Sequence, residues 1–321
     1  MHSLIVPVYK NERNIPDLLE AIGRICQSLP GPFEAVFVVD GSPDRSAQEL
    51  ERLLPTQRYG SKLVHHSRNF GSFAAIRTGL EHAAGPYFAV MAADLQEPPE
   101  LVTEFFGQLA TGDCDIVIGT REGRGDPLRS RLSSAVFWAV YRRLVVADMP
   151  VGGVDVFGCN QQFRDCVLAC KEANTSLIAL LFWVGFRRRQ VSYARRARVH
   201  GVSAWTLRKK IDYMLDSTFA FTDLPIKALL ALGAAGTAVS MIVGTTVLIA
   251  KWAGWLAVPG YAATVLITLF FGALNMLGLG VVGSYAWRAY ENTKRRPLAI
   301  VTVARRFPGS GAGLNPGTEQ L

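Results

Sequence analysis

VMAADLQEPPE, residues 90–100, sets a carboxylate, an amide and a proline pair directly behind an apolar run. That run, PYFAVMA at 86–92, is short, bounded by Gly85 and by polar residues, and predicts a buried central strand of a parallel sheet. Asp94 and Gln96 then emerge at the strand's carboxyl end, the edge where open α/β sheets bind ligands. An aspartate two residues before an amide offers oxygen ligands to a hard cation such as Mg2+. A lone aspartate after a strand more simply caps a turn or a helix. Pro98 and Pro99 stiffen the exit, and proline in the first turn opens a helix, PELVTEFFGQLA.

The same rhythm continues on both sides. Strands at 3–9, 33–39, 62–65 and 86–92 alternate with helices at 17–28, 46–54 and 72–84, and DIVIGTR at 115–121 gives a further strand. This order predicts a parallel, doubly wound sheet with right-handed crossovers. Polar residues gather after each strand: Tyr9 and Asn11, Asp40, Arg68 and Asn69, Asp94 and Gln96, then Arg121. Repeated at successive strand ends, they describe a cleft for a polyanionic, hydroxyl-rich ligand. Asp40, in DGSPD, is placed to accept hydrogen bonds from a base or ribose while also forming an Asx turn. No GxGxxG follows the first strand and no GxxxxGK[ST] occurs, which argues against a dinucleotide dehydrogenase or a P-loop enzyme.

A chain of 321 residues that is 50% hydrophobic is too apolar for an ordinary pair of soluble domains. Residues 224–250 and 261–285 explain the excess, since each is long enough to span a bilayer at ~20 apolar residues per crossing. Their glycines and other small residues suit close helix contact in lipid and predict self-association, with a homo-tetramer as the expected form. Arg208, Lys209 and Lys210 precede the first span and Arg288, Lys294, Arg295 and Arg296 follow the second, while the turn between carries only Lys251. The positive-inside rule then puts both termini in the cytoplasm. The chain enters a strand at once, with no leader expected. The chain's net charge of +8, with a basic collar beside two spans, points to anionic lipid or a phosphorylated lipid, not to nucleic acid. Five cysteines without a CxxC pair offer no metal site and are expected to stay reduced. Residues 202–223 interleave apolar and basic side chains and predict an interfacial helix at the headgroups or, for the first half, an ordinary core helix of the soluble domain. The segment after Arg306 is rich in Gly and Pro and is expected to be disordered.

VPVYKNERNI, VVDGSPD, HSRNFG, AADLQEPPE and VIGTR together resemble the family 2 glycosyltransferases of GT-A fold, specifically the polyprenyl-phosphate glycosyltransferases. The likeness continues through GGVDVFGCN, RVHGVSAW, the two spans and KRRPLAIV. It implies a GT-A domain at 1–201, juxtamembrane helices at 202–223, a transmembrane hairpin at 224–287 and a cytoplasmic tail at 288–321. Function is implied as inverting sugar transfer from a nucleotide sugar to polyprenyl phosphate at the inner membrane, serving cell-envelope glycans. Pro7, Tyr9, Asn11 and Asp40 would contact the nucleobase and ribose, with Arg121 near the diphosphate. Asp94 and Gln96 would hold Mg2+ or Mn2+, Asp155 would act near the sugar, and Arg198, His200 and Ser203 would bind the acceptor phosphate.

The departures from the family matter. Ala92 stands where the family often has the first Asp of DAD, Val39 replaces the first Asp of DDGS, Asn11 a Glu and Ala204 a Lys. Losing a negative ligand weakens metal affinity without abolishing it, because Mg2+ is commonly held by one or two carboxylates plus phosphates and water. The alternatives are a catalytically impaired membrane adaptor of the same fold and a processive polysaccharide synthase. The latter would need more spans and usually a QxxRW motif, which QQFRD at 161–165 is not.

Overall fold

The computed structural model describes residues 1–121, 139, 141–143, 145–150, 153–173, 175–196, 207–253 and 260–310. They divide into two compact units, 1–210 with 297–321 and 211–296. The first is built on an eight-stranded sheet of order β7-β5-β6-β4-β1-β2-β3-β8. Its strands are β1 His2–Val8, β2 Phe33–Val39, β3 Gly60–His66, β4 Tyr87–Val90, β5 Ile116–Arg121, β6 Phe157–Asn160, β7 Arg188–Tyr193 and β8 Val301–Phe307. All run parallel except β6 and β8, which bears out the mostly parallel sheet expected from the alternation.

Helices α1 Ile15–Ser28, α2 Ser46–Leu53, α3 Ser72–His82, α4 Pro99–Ala110, α5 Gln161–Ala169 and α6 Leu177–Trp183 lie among the described residues of the same unit. Side chains alternate across a strand, so β1 buries Leu4, Val6 and Val8 in one apolar layer with α1 and α4. Ile5 points the other way, toward α3. There Gly79 lets helix and strand close up, because a Cβ at that position would sit 2.3 Å from the Ile5 Cγ2. β2 is buried at all seven positions between two parallel neighbours, Glu34 included, whose Oε1 accepts from Ser3 Oγ at 2.7 Å. α4 starts at Pro99, where a missing N–H leaves nothing unsatisfied.

β4 is shorter than the apolar run around it. It pairs with β1 only as far as Val90 opposite Ile5, and the Met91 N–H makes one more bond, to the Ile5 carbonyl at 3.0 Å. Residues 91–98 are therefore rim, not sheet. β8 has no counterpart in the sequence pattern. Instead of a free tail after the apolar helices, residues 301–307 pair antiparallel with β3, and the Ser67 N–H donates to the Ile300 carbonyl at 2.9 Å.

The second unit holds most of α7 Leu207–Phe221, with α8 Leu224–Trp252 and α9 Tyr261–Thr293. The helix expected at 202–223 is present from Leu207 on, its first five residues lying outside the described set. α8 and the Phe270–Thr293 part of α9 are long and apolar enough to cross a membrane. They meet at small residues: an added Cβ would lie 3.3 Å from Phe271 at Gly236, and 3.3 Å from Leu229 at Gly278. Asp216 pairs with Arg288 at 2.7 Å, and the Tyr285 hydroxyl donates to the Thr222 carbonyl.

Candidate active site

Six parallel strands bring their carboxyl ends to one rim, and the two halves of that rim have different chemistry. At the ends of β1 and β2 the loops are zipped together by their own polar groups. The Lys10 N–H donates to Ser42 Oγ at 2.8 Å, the Asn11 N–H to Ser46 Oγ at 3.0 Å and the Glu12 N–H to Asp44 Oδ2 at 3.1 Å. Burial works against the charge on Asp44, but Ser42, Ser46 and the Glu12 N–H outweigh it and hold the carboxyl below its usual range. Asn11 accepts from the Tyr9 N–H at 3.0 Å, and the Tyr9 side chain is left exposed.

Asp40 is 2% exposed and turned inward. Its oxygens accept from the Phe70 and Gly71 N–H groups, each at 2.8 Å, and Oδ1 lies 2.9 Å from His66 Nδ1. His66 Nε2 in turn meets Thr78 Oγ1 at 2.9 Å, tying the 66–71 loop to α3. Gly41, at φ 55, packs its Cα so close to the Arg68 and Asn69 backbone that a Cβ would fall 2.3 Å from the Arg68 carbonyl carbon. Asp40 thus organises the loop after β3, a use of its oxygens that the sequence does not reveal.

The other half gathers around β5, β6 and β7. Because β6 runs antiparallel, the residues before it arrive at the rim where its neighbours end, which brings Asp155 to Arg121. The Gly119 N–H fixes this crossing on the Val156 carbonyl at 3.0 Å. Arg121 and Tyr193 are register partners on β5 and β7. Both donate to Asp155 Oδ2, Arg121 through Nε and Tyr193 through its hydroxyl at 3.1 Å. Burial opposes the charge on Arg121, but the Asp155 carboxylate prevails and holds the guanidinium more firmly protonated. Burial, with Asp155 and Glu97 nearby, pushes the Tyr193 hydroxyl well up, so it remains a donor.

Beside this group lies the 90–100 segment. Leu95 has φ 53, a left-handed conformation that costs a branched residue roughly 1 kcal/mol or more. Gln96 is buried: its carbonyl accepts from the Arg196 N–H at 2.8 Å and its Oε1 from Arg195. Asp94 Oδ1 receives the Gln96 N–H at a long 3.4 Å. Glu97 is 3% exposed, and its Oε2 makes no hydrogen bond among the described residues. Burial first, then Asp155 and Asp94, pushes the Glu97 carboxyl up to about 7, against a pull from Arg195.

Asp94, Gln96, Arg121 and Asp155, all expected from the sequence, therefore belong to one neighbourhood, which Glu97, Tyr193 and Arg195 complete. The sequence signal for the last two is hidden in the basic run at 187–196, where each arginine reads as solvated. Arg198, His200 and Ser203 lie outside the described residues. Carboxylate and amide oxygens on one loop, one carboxylate oxygen orphaned, are chemically suited to a hard divalent cation. Among the described residues no three His, Cys, Asp or Glu side chains converge on a ligating position, so the protein's share of any coordination shell is small.

The Glu97 environment has a consequence for stability. In the metal-free protein the folded state keeps a proton on Glu97 that the unfolded chain releases near 4.5, so stability falls as pH rises from about 4.5 to about 7 and then levels. The difference amounts to roughly 3 kcal/mol. The thermal midpoint of the detergent-solubilised chain in EDTA should decline across that window more steeply than that of Glu97→Gln. Parallel curves for the two proteins would exclude this burial.

Comparison with known proteins agrees with the geometry. An uncharacterized glycosyltransferase of Synechocystis sp. (strain ATCC 27184 / PCC 6803 / Kazusa) is 30% identical over 94% of this chain and 94% of its own. The putative glycosyltransferase CsbB of Bacillus subtilis (strain 168) is 30% identical over 94% of this chain and 91% of its own. An undecaprenyl-phosphate 4-deoxy-4-formamido-L-arabinose transferase of Pseudomonas paraeruginosa (strain DSM 24068 / PA7) is 29% identical over 96% and 91%. Residues 3–165, which carry β1 to β6 and the rim built from them, match the family described as Glycosyl transferase family 2, and this chain belongs to it.

Proposed function

We propose that this glycosyltransferase moves a sugar from a UDP- or GDP-linked donor to polyprenyl phosphate, with inversion at the anomeric carbon, on the cytoplasmic face of the inner membrane. The observation that carries the reading is the contact of Arg121, Asp155 and Tyr193 beside the Asp94–Glu97 loop, on the ligand-binding rim of the sheet. A relative named for undecaprenyl-phosphate transfer and two helices of bilayer length support a lipid acceptor.

The chemistry asks little of a base. A phosphate monoester has a second pKa of about 6, so the acceptor oxygen is already an anionic nucleophile at neutral pH. Asp155 then serves to orient the acceptor or to stabilise positive charge developing on the sugar, and Arg121 lends fixed positive charge toward the diphosphate. A divalent cation held by Asp94 and Gln96 would neutralise the leaving nucleoside diphosphate. In this reading Pro7, Tyr9 and Asn11 take the base and ribose, Asp40 keeps the 66–71 loop in shape, and Arg198, His200 and Ser203 receive the acceptor phosphate.

One experiment tests both reaction and sidedness. Inside-out membrane vesicles carrying the chain, supplied with a panel of radiolabelled UDP and GDP sugars, should form a lipid-extractable sugar phosphate. Sealed right-side-out vesicles should not, until permeabilised. Product in the sealed right-side-out vesicles would overturn the orientation, and no lipid product in any vesicle would overturn the transfer.

A further inference from the structure

The rim segment after β4 has alanine at 92, where the resemblance implies an aspartate, and carries two carboxylates before its proline pair, Asp94 and the buried Glu97. Glu97 is almost wholly enclosed, and its Oε2 finds no donor among the described residues. Its electrostatic neighbours are two further carboxylates, Asp155 and Asp94, against a single guanidinium, Arg195. An ionised carboxylate left without a hydrogen-bond donor in such a place is disfavoured, and glutamine would fill the same volume without the charge. What makes the arrangement favourable is a positive charge arriving from outside the chain.

We infer that Glu97 is a ligand of the divalent cation at the donor diphosphate, supplying beside Asp94 the negative charge that Ala92 lacks. The inference rests on the function proposed above. Two carboxylates, with amide, water and phosphate oxygens, make an ordinary shell for Mg2+ or Mn2+, and they accord with the lack of any three-carboxylate convergence among the described residues. Arg195 fits the same scheme, since it holds the Gln96 amide and balances charge in the absence of the cation.

The test is Mn2+ binding by the full chain in detergent, read from the loss of the free-ion paramagnetic resonance signal, with Mn2+ alone and with UDP or GDP. Glu97→Gln should weaken Mn2+ binding on the order of 10–100-fold without lowering the metal-free thermal midpoint. Ala92→Asp added to that variant should restore most of the affinity, which a merely structural role for Glu97 would not allow. Parent-like affinity in Glu97→Gln overturns the inference and leaves the glycosyltransferase reading standing. A loss that Ala92→Asp does not restore, or a lowered metal-free midpoint, also overturns it. A parent that binds no Mn2+ with either nucleotide removes the cation from the proposed function and Glu97 with it.

Discussion

Asp94→Asn is expected to lower turnover on the order of 100-fold and to weaken metal-dependent donor binding along with it. The reason lies in how few negative ligands the segment has. With alanine at 92 and 93, Asp94 is the only acidic side chain between β4 and Gln96. Asparagine keeps the shape and one acceptor oxygen but removes the charge that a hard cation needs. The donor diphosphate then meets the rim with its own charge poorly screened, so binding and turnover fall together. Calorimetry of UDP and GDP sugars with and without Mg2+, alongside single-turnover product formation, reads both. Donor binding by the parent that is indifferent to EDTA, with an Asp94→Asn variant of equal activity, would remove the cation from the reaction.

Much of this rim is legible in the amino-acid sequence, and the reasons are local. β2 announces itself because six of its seven residues are apolar, Glu34 being the exception, and α4 because Pro99 and the following periodicity agree. The carboxyl-end residues of parallel strands follow from topology alone, which is why Asp94, Gln96 and Arg121 emerge together. β6 is not legible as a strand: FGCN is four residues long, contains a glycine, and is held between β4 and β5 only by tertiary pairing. Its reversed direction is what delivers Asp155 to the rim, so that residue is reached through family resemblance instead of pattern. β8 escapes for a related cause, since VTVARRF finds its partner β3 more than two hundred residues earlier and is itself largely exposed and basic. Glu97 stands in full view within residues 90–100. Nothing in EPPE distinguishes a buried acid from a surface one until the strands beside it are in place.

Asp155→Asn is expected to slow single-turnover transfer by on the order of 100- to 1,000-fold while leaving donor affinity within about threefold of the parent. Asp155 Oδ2 is gripped by both Arg121 and Tyr193, so its position is set before any ligand arrives. A group fixed in this way exerts its charge without reorganising as the sugar leaves the diphosphate, and that is the moment at which positive charge grows at the anomeric carbon. Asparagine fits the same space and still accepts from Tyr193, so the rim keeps its shape and the nucleotide its contacts. Only the interaction felt in the transition state is lost, and kcat falls with little change in the donor dissociation constant. The contrast with Asp94→Asn is the informative part: one substitution acts on binding and rate together, the other on rate alone. If Asp155→Asn transfers sugar as fast as the parent, Asp155 is no more than an anchor for Arg121. If it loses donor affinity to the same degree as rate, its work is to hold Arg121 against the diphosphate and not to assist the reacting carbon.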